Sequence, residues 1–469
     1  MKRFATSVLA LVMALGLSAC GDSFTDLTPE SERNAGNFYD TPGDFQIAIN
    51  GIYDALQADG TYGGDYWIIM EMRSDNTDQG PDVTGLSAAI AALNEFKEIP
   101  TSEVVQRVWT DSYVGVARSN TVLARLGGVD MPEAQRQQFE GEALFLRSLM
   151  YYNLAMAFGN ITLILDETTS PNQAINQVPA GDVFAQIAGD LQRAATLLPA
   201  SYGAGQEGRA TAGAARTLLA KVLLMQGQRG EAASVLREVV SSSQYQLLDD
   251  YASLWGPSNE NNAESIFEVQ FQAGGIGEGS PFATLFSPIL IAGGAYRNRP
   301  TDDLIAAYED GDLRFAPSLA TSYVDPADGE TVEDPFIRKL ESVPFADFDA
   351  DNNVVVFRYA DVLLMLAEAL GEGSEAYGLI NQVRARAGLA AIDASTPGTF
   401  EEKLLQERRV ELAFENHRWF DLRRFNQTSV VVDNELFALG GGPVNDLFPI
   451  PQREIDTAPE VMQQNPGYN

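Results

Sequence analysis

One cysteine and one histidine stand among 469 residues, and that scarcity narrows the chemistry open to the chain. A Cys/His zinc site and an internal disulfide each need more such residues than are present. A Ser-His-Asp triad would have to run through His417. That residue lies in Glu415-Asn416-His417-Arg418-Trp419-Phe420, amid charges and bulky rings, the setting of a packed structural histidine. Gly203-Ala204-Gly205-Gln206-Glu207-Gly208 has the glycine spacing of a dinucleotide loop. It follows a helical stretch ending at Pro199 instead of a strand, and no acid follows about twenty residues on, so it reads as an inter-helix loop. Asp349-Ala350-Asp351-Asn352-Asn353 begins like a calcium loop, but Val354 replaces the turn glycine and Ala360 the bidentate acid, which leaves at most a loose site. Among 65 acids no carboxylate pair for glycoside hydrolysis can be singled out. No catalytic residue, metal or cofactor is expected.

Cys20 is the exception. Lys2 and Arg3 precede an apolar run, Val8–Leu17, too short to cross a bilayer and suited to a secretory leader. The run ends in Leu17-Ser18-Ala19-Cys20, the pattern of a bacterial lipobox, in which the thiol is lipidated and cleavage falls after Ala19. Residues 1–19 are therefore expected to be a signal peptide, and 20–40 a lipidated cysteine with its tether. Two or more acyl chains hold a protein stably at a membrane. With 31 Lys+Arg against 65 Asp+Glu, the net charge of −34 repels phosphate backbones and anionic lipid, so nucleic acid is excluded as a default partner. The acidic balance reads as a solubility device, in keeping with a salty habitat.

The elements that must position any site are mostly helices. Thr41, Pro42 and Asp44 form a capped helix start, followed by Phe45, Ile49, Ile52 and Leu56 on one face. Residues 57–87 break the pattern with Gly60, Gly63, Gly64, Gly80 and Pro81 and read as a long loop. Long helices are expected over 102–126 and 133–158, the second stopped by Gly159, and another over 181–198. Helix pairs follow at 210–226 with 230–241 and at 358–370 with 375–387. Their small residues, Ala220 with Ala232 and Ala367 with Ala376, resemble those of tetratricopeptide repeats, where paired helices approach closely. Residues 250–357 are irregular, with one strand expected at Ile266–Phe271. The expected architecture is mainly α: tetratricopeptide-like pairs near 133–199, 210–241 and 358–387 within one domain over 41–469, carrying large loop insertions and few short strands.

Several separated motifs carry a family resemblance. Phe24-Thr25-Asp26-Leu27-Thr28-Pro29-Glu30 follows Cys20, and Asn37-Phe38-Tyr39 precedes the capped helix. Gly141-Glu142-Ala143-Leu144-Phe145-Leu146-Arg147 leads into Tyr151-Tyr152-Asn153-Leu154, and Arg358-Tyr359-Ala360-Asp361-Val362-Leu363-Leu364 precedes Ile380-Asn381-Gln382-Val383-Arg384-Ala385-Arg386. Glu407-Arg408-Arg409-Val410-Glu411-Leu412-Ala413-Phe414-Glu415 runs to Arg418-Trp419-Phe420-Asp421-Leu422-Arg423, with Leu447-Phe448-Pro449-Ile450-Pro451 and Asn465-Pro466-Gly467-Tyr468 at the end. Together these resemble the SusD/RagB family of outer-membrane lipoproteins. The resemblance implies a non-catalytic, surface-facing nutrient-binding protein that sits as a lid on a SusC-like TonB-dependent barrel and passes it an oligosaccharide. The alternatives are an oligopeptide or other small nutrient, and, from another class, a lipid-anchored glycoside hydrolase. Arg408, Arg409, Glu411, Glu415 and Asp421 alternate in sign and are expected to pair with one another, at the modest value of surface pairs if exposed.

A sugar site needs flat aromatic faces for C–H surfaces and amides or carboxylates for hydroxyls. Trp67 with Asp75 and Asn76 offers that mix in the first long loop, and Phe282, Phe286, Tyr296 and Asn298 in the second. The competing expectation is that these rings are core packing.

Overall fold

The computed structural model describes residues 38–80, 87–170, 176–291, 293–429 and 444–468. Cys20, the leader and most of the tether lie outside the described residues. The architecture is helical with few short strands, as the sequence implies.

Helix α1 (Pro42–Asp54) begins with the expected capping box: Asp44 N–H donates to Thr41 Oγ1 at 3.3 Å and Thr41 N–H to the Asp44 carboxylate at 2.9 Å. Phe45, Ile49 and Ile52 face inward and are buried. Helices α2 (Glu103–Arg125), α3 (Glu133–Phe158), α4 (Ala180–Leu197), α5 (Ala212–Met225) and α6 (Arg229–Ser241) follow, each packed on the next. Gly159 ends α3 at φ +72°, where a Cβ would lie 2.7 Å from Leu447 Cδ1, so conformation and space both call for glycine. Ala220 and Ala232 are fully buried between α5 and α6, which is what the small residues permit.

The chain then leaves the stack. It returns as α7 (Tyr359–Leu370), which packs directly on α6, followed by α8 (Ser374–Arg386), α9 (Phe400–Glu411) and α10 (Arg418–Arg424). The insertion between α6 and α7 is clasped by two antiparallel strands, β1 (Ser265–Val269) and β2 (Val354–Arg358), with Val269 opposite Val354. Everything from 270 to 353 therefore emerges from one end of this ladder. That places the irregular region as a single loop cluster beside the stack.

The sign-alternating motif behaves differently from its expectation. Arg408 does pair with Asp421 at 2.7 Å, but the other groups reach outside the motif and all are buried. Glu411 joins Arg314, Arg358 and Arg386, while Glu415 joins Arg358 and Lys339, and Arg409 joins Asp75 and Asp303. Removing one partner of such a buried pair costs about 3–5 kcal/mol, well above a surface pair. Arg358, at the end of β2, binds Glu264 at 2.8 Å and Glu415 at 2.7 Å, locking the returning chain to the helices. His417 is a packed histidine: it is buried, with Nδ1 3.3 Å from Lys221 Nζ.

Candidate functional site

The first long loop is not loose. Trp67 leads into a one-turn π-helix, Ile68–Met72, all of it buried. The turn delivers Glu71 to the interior, where its carboxylate accepts from Asn76 Nδ2 at 3.0 Å and from the Phe414 and Asn416 N–H groups at 2.9 and 3.2 Å. Burial pushes the Glu71 carboxyl up to about 7 against these hydrogen bonds. Phe414 and Asn416 have left-handed backbone, φ +68° and +65°, and Glu71 holds the turn they form.

The second loop lies against the first. Thr77 pairs with Pro300, Thr301 Oγ1 donates to the Asp75 carbonyl at 2.8 Å, and the Trp67 and Phe286 rings meet edge to face at 5.1 Å. Phe282 stacks obliquely on Phe286 at 5.3 Å. Trp67, Phe282, Phe286 and Asn298 line one semi-enclosed cavity. Its other walls are Trp255 and Glu260 ahead of β1, Glu268 and Val354 of the ladder, Lys339, and the turn Phe414–Asn416. Free space inside is about 40 Å³, room for a few waters but not for a sugar ring.

Three of the seven expected ligand residues fall elsewhere. Asp75 receives Arg418 on both carboxylate oxygens, at 2.7 and 2.8 Å, and Arg409 at 3.1 Å. Burial opposes its charge, yet the two guanidiniums outweigh burial and hold its carboxyl below the ordinary range. Asn76 is fully buried, its oxygen bound by Arg409 and its nitrogen by Glu71. The polar pair meant for hydroxyls is thus consumed by the scaffold. Tyr296 is 6% exposed and does not line the cavity; its hydroxyl donates to the Pro335 carbonyl at 3.2 Å and accepts from Arg299 Nε at 2.8 Å. The rings that do line the cavity, Trp67, Phe282 and Phe286, are themselves at most 5% exposed.

Lys339 is the one cation among the cavity's lining residues. It pairs with Glu415 at 2.7 Å, lies 4.6 Å from the Trp255 ring centre, and is brought down to about 8 by burial despite Glu415. Burial likewise raises Glu260 to about 7. The calcium-like segment serves as a tie: Asp349 Oδ2 accepts from the Gly275 N–H at 2.7 Å and Asp351 Oδ1 from the Ala273 N–H at 2.8 Å. No grouping of three or more His, Cys, Asp or Glu suited to a metal ion occurs among the described residues. A wider groove of about 580 Å³ runs between α1 and the loop at 205–209, but its one ring, Tyr53, has its hydroxyl engaged by Glu142 and the Ala210 N–H.

The SusD family model matches residues 347–468, and a second model, described as starch-binding and associating with the outer membrane, matches residues 30–224. A solved laminarin-binding SusD-like protein is 30% identical and superposes over 92% of this chain and 100% of its own, with a TM-score of 0.80. The chain belongs to the SusD/RagB family. Surface glycan-binding protein A from Bacteroides fluxus is similar at 26% identity, 92% and 100% coverage, and a TM-score of 0.80. SusD-like protein P2 of Formosa agariphila is 28% identical over the whole of both chains.

On this SusD-type scaffold, sequence reasoning passed over Trp255 and Asn416. Trp255 stood in the irregular region without a recognisable motif, and Asn416 was hidden in a stretch read as scaffold. Phe345 and Phe348, 69% and 50% exposed, lie in the region 250–357 that the sequence marks as loop-rich.

Proposed function

We propose that this protein is a cell-surface carbohydrate-binding lipoprotein, anchored through Cys20 in the outer membrane, that captures an oligosaccharide and delivers it to a SusC-like TonB-dependent barrel without cleaving it. The observation that carries the reading is the cavity that Asn298, Asn416 and Trp255 line beside the buried Trp67, Phe282 and Phe286 rings, whose amide and indole groups suit the hydroxyls of a sugar. Membership of the SusD family and the laminarin-binding description of the 30%-identical relative support it. The barrel is the delivery partner that the resemblance to the SusD/RagB family implies.

Purified protein lacking residues 1–19 is expected to be retarded in native gels containing soluble glycans and to release no reducing ends from them. Turnover that survives repurification would favour the hydrolase. Binding to peptides alone would favour a peptide importer. Mild crosslinking in cells should recover a barrel in near-stoichiometric amount, through an interface above roughly 1,000 Å². Recovery of only the free lipoprotein would remove the delivery step from this reading.

A further inference from the structure

Strain and unmet hydrogen bonding coincide at the candidate cavity. Asn298 and Asn416 both hold left-handed backbone, φ +60° and +65°. The Oδ1 atoms of both are buried without a hydrogen-bond partner, and so is Trp255 Nε1. The three residues come from different segments, the loop after Phe286, the turn after α9 and the loop before β1, and all line the one cavity. Left-handed non-glycine backbone and an unpartnered buried polar atom each destabilise a fold. Both kinds gathered at one cavity mark a place where another molecule completes the hydrogen bonding.

The charge around them restricts that molecule. Glu260, Glu268 and Glu415 border the cavity against the single cation Lys339, already paired with Glu415 at 2.7 Å. A uronate or sulfate group would meet carboxylates with no free cation among the lining residues. A hydroxyl, by contrast, can donate to either amide oxygen and accept from the indole N–H. The free space of about 40 Å³ admits the hydroxyl edge of a sugar and leaves its ring at the rim.

We propose that Asn298, Asn416 and Trp255 read the hydroxyl edge of one uncharged sugar unit, and that the cavity selects neutral glycans against uronate-bearing or sulfated ones. This rests on the carbohydrate reading above and deepens it.

Calorimetric titration with laminarihexaose, maltohexaose and xylohexaose, set against oligoalginate, oligogalacturonate and a sulfated oligosaccharide, tests both halves. The variants are Asn298→Gly and Asn416→Gly, which keep the left-handed backbone while deleting the amide, and Trp255→Phe, which keeps a ring while deleting the donor. At least one neutral oligosaccharide should bind about tenfold or more tightly than any anionic one, and each variant should weaken it about tenfold while melting cooperatively. If a neutral glycan binds and folded variants bind it equally well, or if anionic glycans bind as tightly, this inference falls and the carbohydrate reading stands. If no glycan binds, or only peptides do, both fall. Should a variant fail to fold, the neutral-against-anionic comparison on the unaltered protein still decides.

Discussion

The Glu71 carboxylate accepts the backbone N–H of Phe414 at 2.9 Å across a sequence separation of 343 residues. One buried acid thereby joins the π-turn that carries Trp67 to the left-handed turn that carries Asn416, and so sets two walls of the cavity at once. Glu71→Ala would leave both backbone donors without their acceptor. We expect it to lose about 2–4 kcal/mol in urea unfolding, at roughly 1–2 kcal/mol per orphaned group. A loss within 0.5 kcal/mol, the range of an ordinary surface change, would show that the turn keeps its shape unaided.

The same acid sets a pH dependence. Its folded pKa of about 7 lies above the ordinary 4.5, so between those values the folded chain holds a proton that the unfolded chain has released. Stability contributed by this group therefore falls as pH rises from 4.5 to 7 and is flat outside that window. Subtracting the pH profile of Glu71→Gln from that of the unaltered protein isolates it from Glu260, which is raised in the same direction. Parallel profiles would place the raised proton affinity elsewhere.

The helices were legible in the sequence because their signals are local. Thr41, Pro42 and Asp44 announce α1, and Gly159 announces the end of α3, with no tertiary information needed. The ladder of β1 with β2 was half legible, since a strand could be read at 266–271 while its partner at Val354–Arg358 lay inside the segment expected as helix and loop. Asp75 and Asn76 were misplaced for a different reason. An acid beside an amide in a glycine-rich loop looks exposed, and its guanidinium partners come from 334 or more residues further along the chain. Asn298 is singled out by the sequence and Asn416 is not, although both have the same backbone and the same unpaired oxygen. Only the fold places them together.

Asp75 separates a scaffold role from a ligand role by experiment. Its carboxylate is shared by Arg418 and Arg409, and all three groups are buried. Asp75→Ala leaves two guanidiniums without their anion, and we expect a loss of about 3–5 kcal/mol in unfolding free energy. A ligand-contacting aspartate would instead weaken glycan binding while leaving the urea midpoint in place. That second pattern would contradict the geometry described here.

Trp67 presents the opposite balance. Only 5% exposed and in edge-to-face contact with Phe286, it is both core and cavity wall. Truncation to alanine should cost about 3–5 kcal/mol of stability, because the surrounding π-turn cannot collapse into the space. Trp67→Phe keeps a ring against Phe286 while removing the fused five-membered ring, and is expected to cost about 1–2 kcal/mol, clearly less than alanine. Affinity measured on that folded variant then reports on the indole face alone. An equal stability loss in both variants would mean that the indole edge, and not its bulk, holds the two loops together.

His417 gives the last prediction. Burial, with Lys221 3.3 Å away as the next cause, lowers its imidazole from 6.5 to about 4, against the opposing pull of Asp361 and Glu415; Arg408 adds to the lowering. Above pH 6.5 the ring is neutral in folded and unfolded chains alike, so it exacts no pH-dependent penalty there. As pH falls from 6.5 towards 4 the unfolded chain gains a proton that the folded chain refuses, and stability drops by up to about 2–3 kcal/mol. Below pH 4 this loss is complete, while Asp361 and Asp421, whose partners hold their carboxyls far below the ordinary range, go on losing stability for their own reasons. Between pH 6.5 and 4.5, therefore, His417→Gln should gain on the unaltered protein with each step down in pH, whatever it costs at pH 7. Urea midpoints for the two proteins at half-unit intervals would show the gap moving in the variant's favour. A constant gap would mean that the histidine finds its proton in the folded state, and that the neighbouring Lys221 gives way.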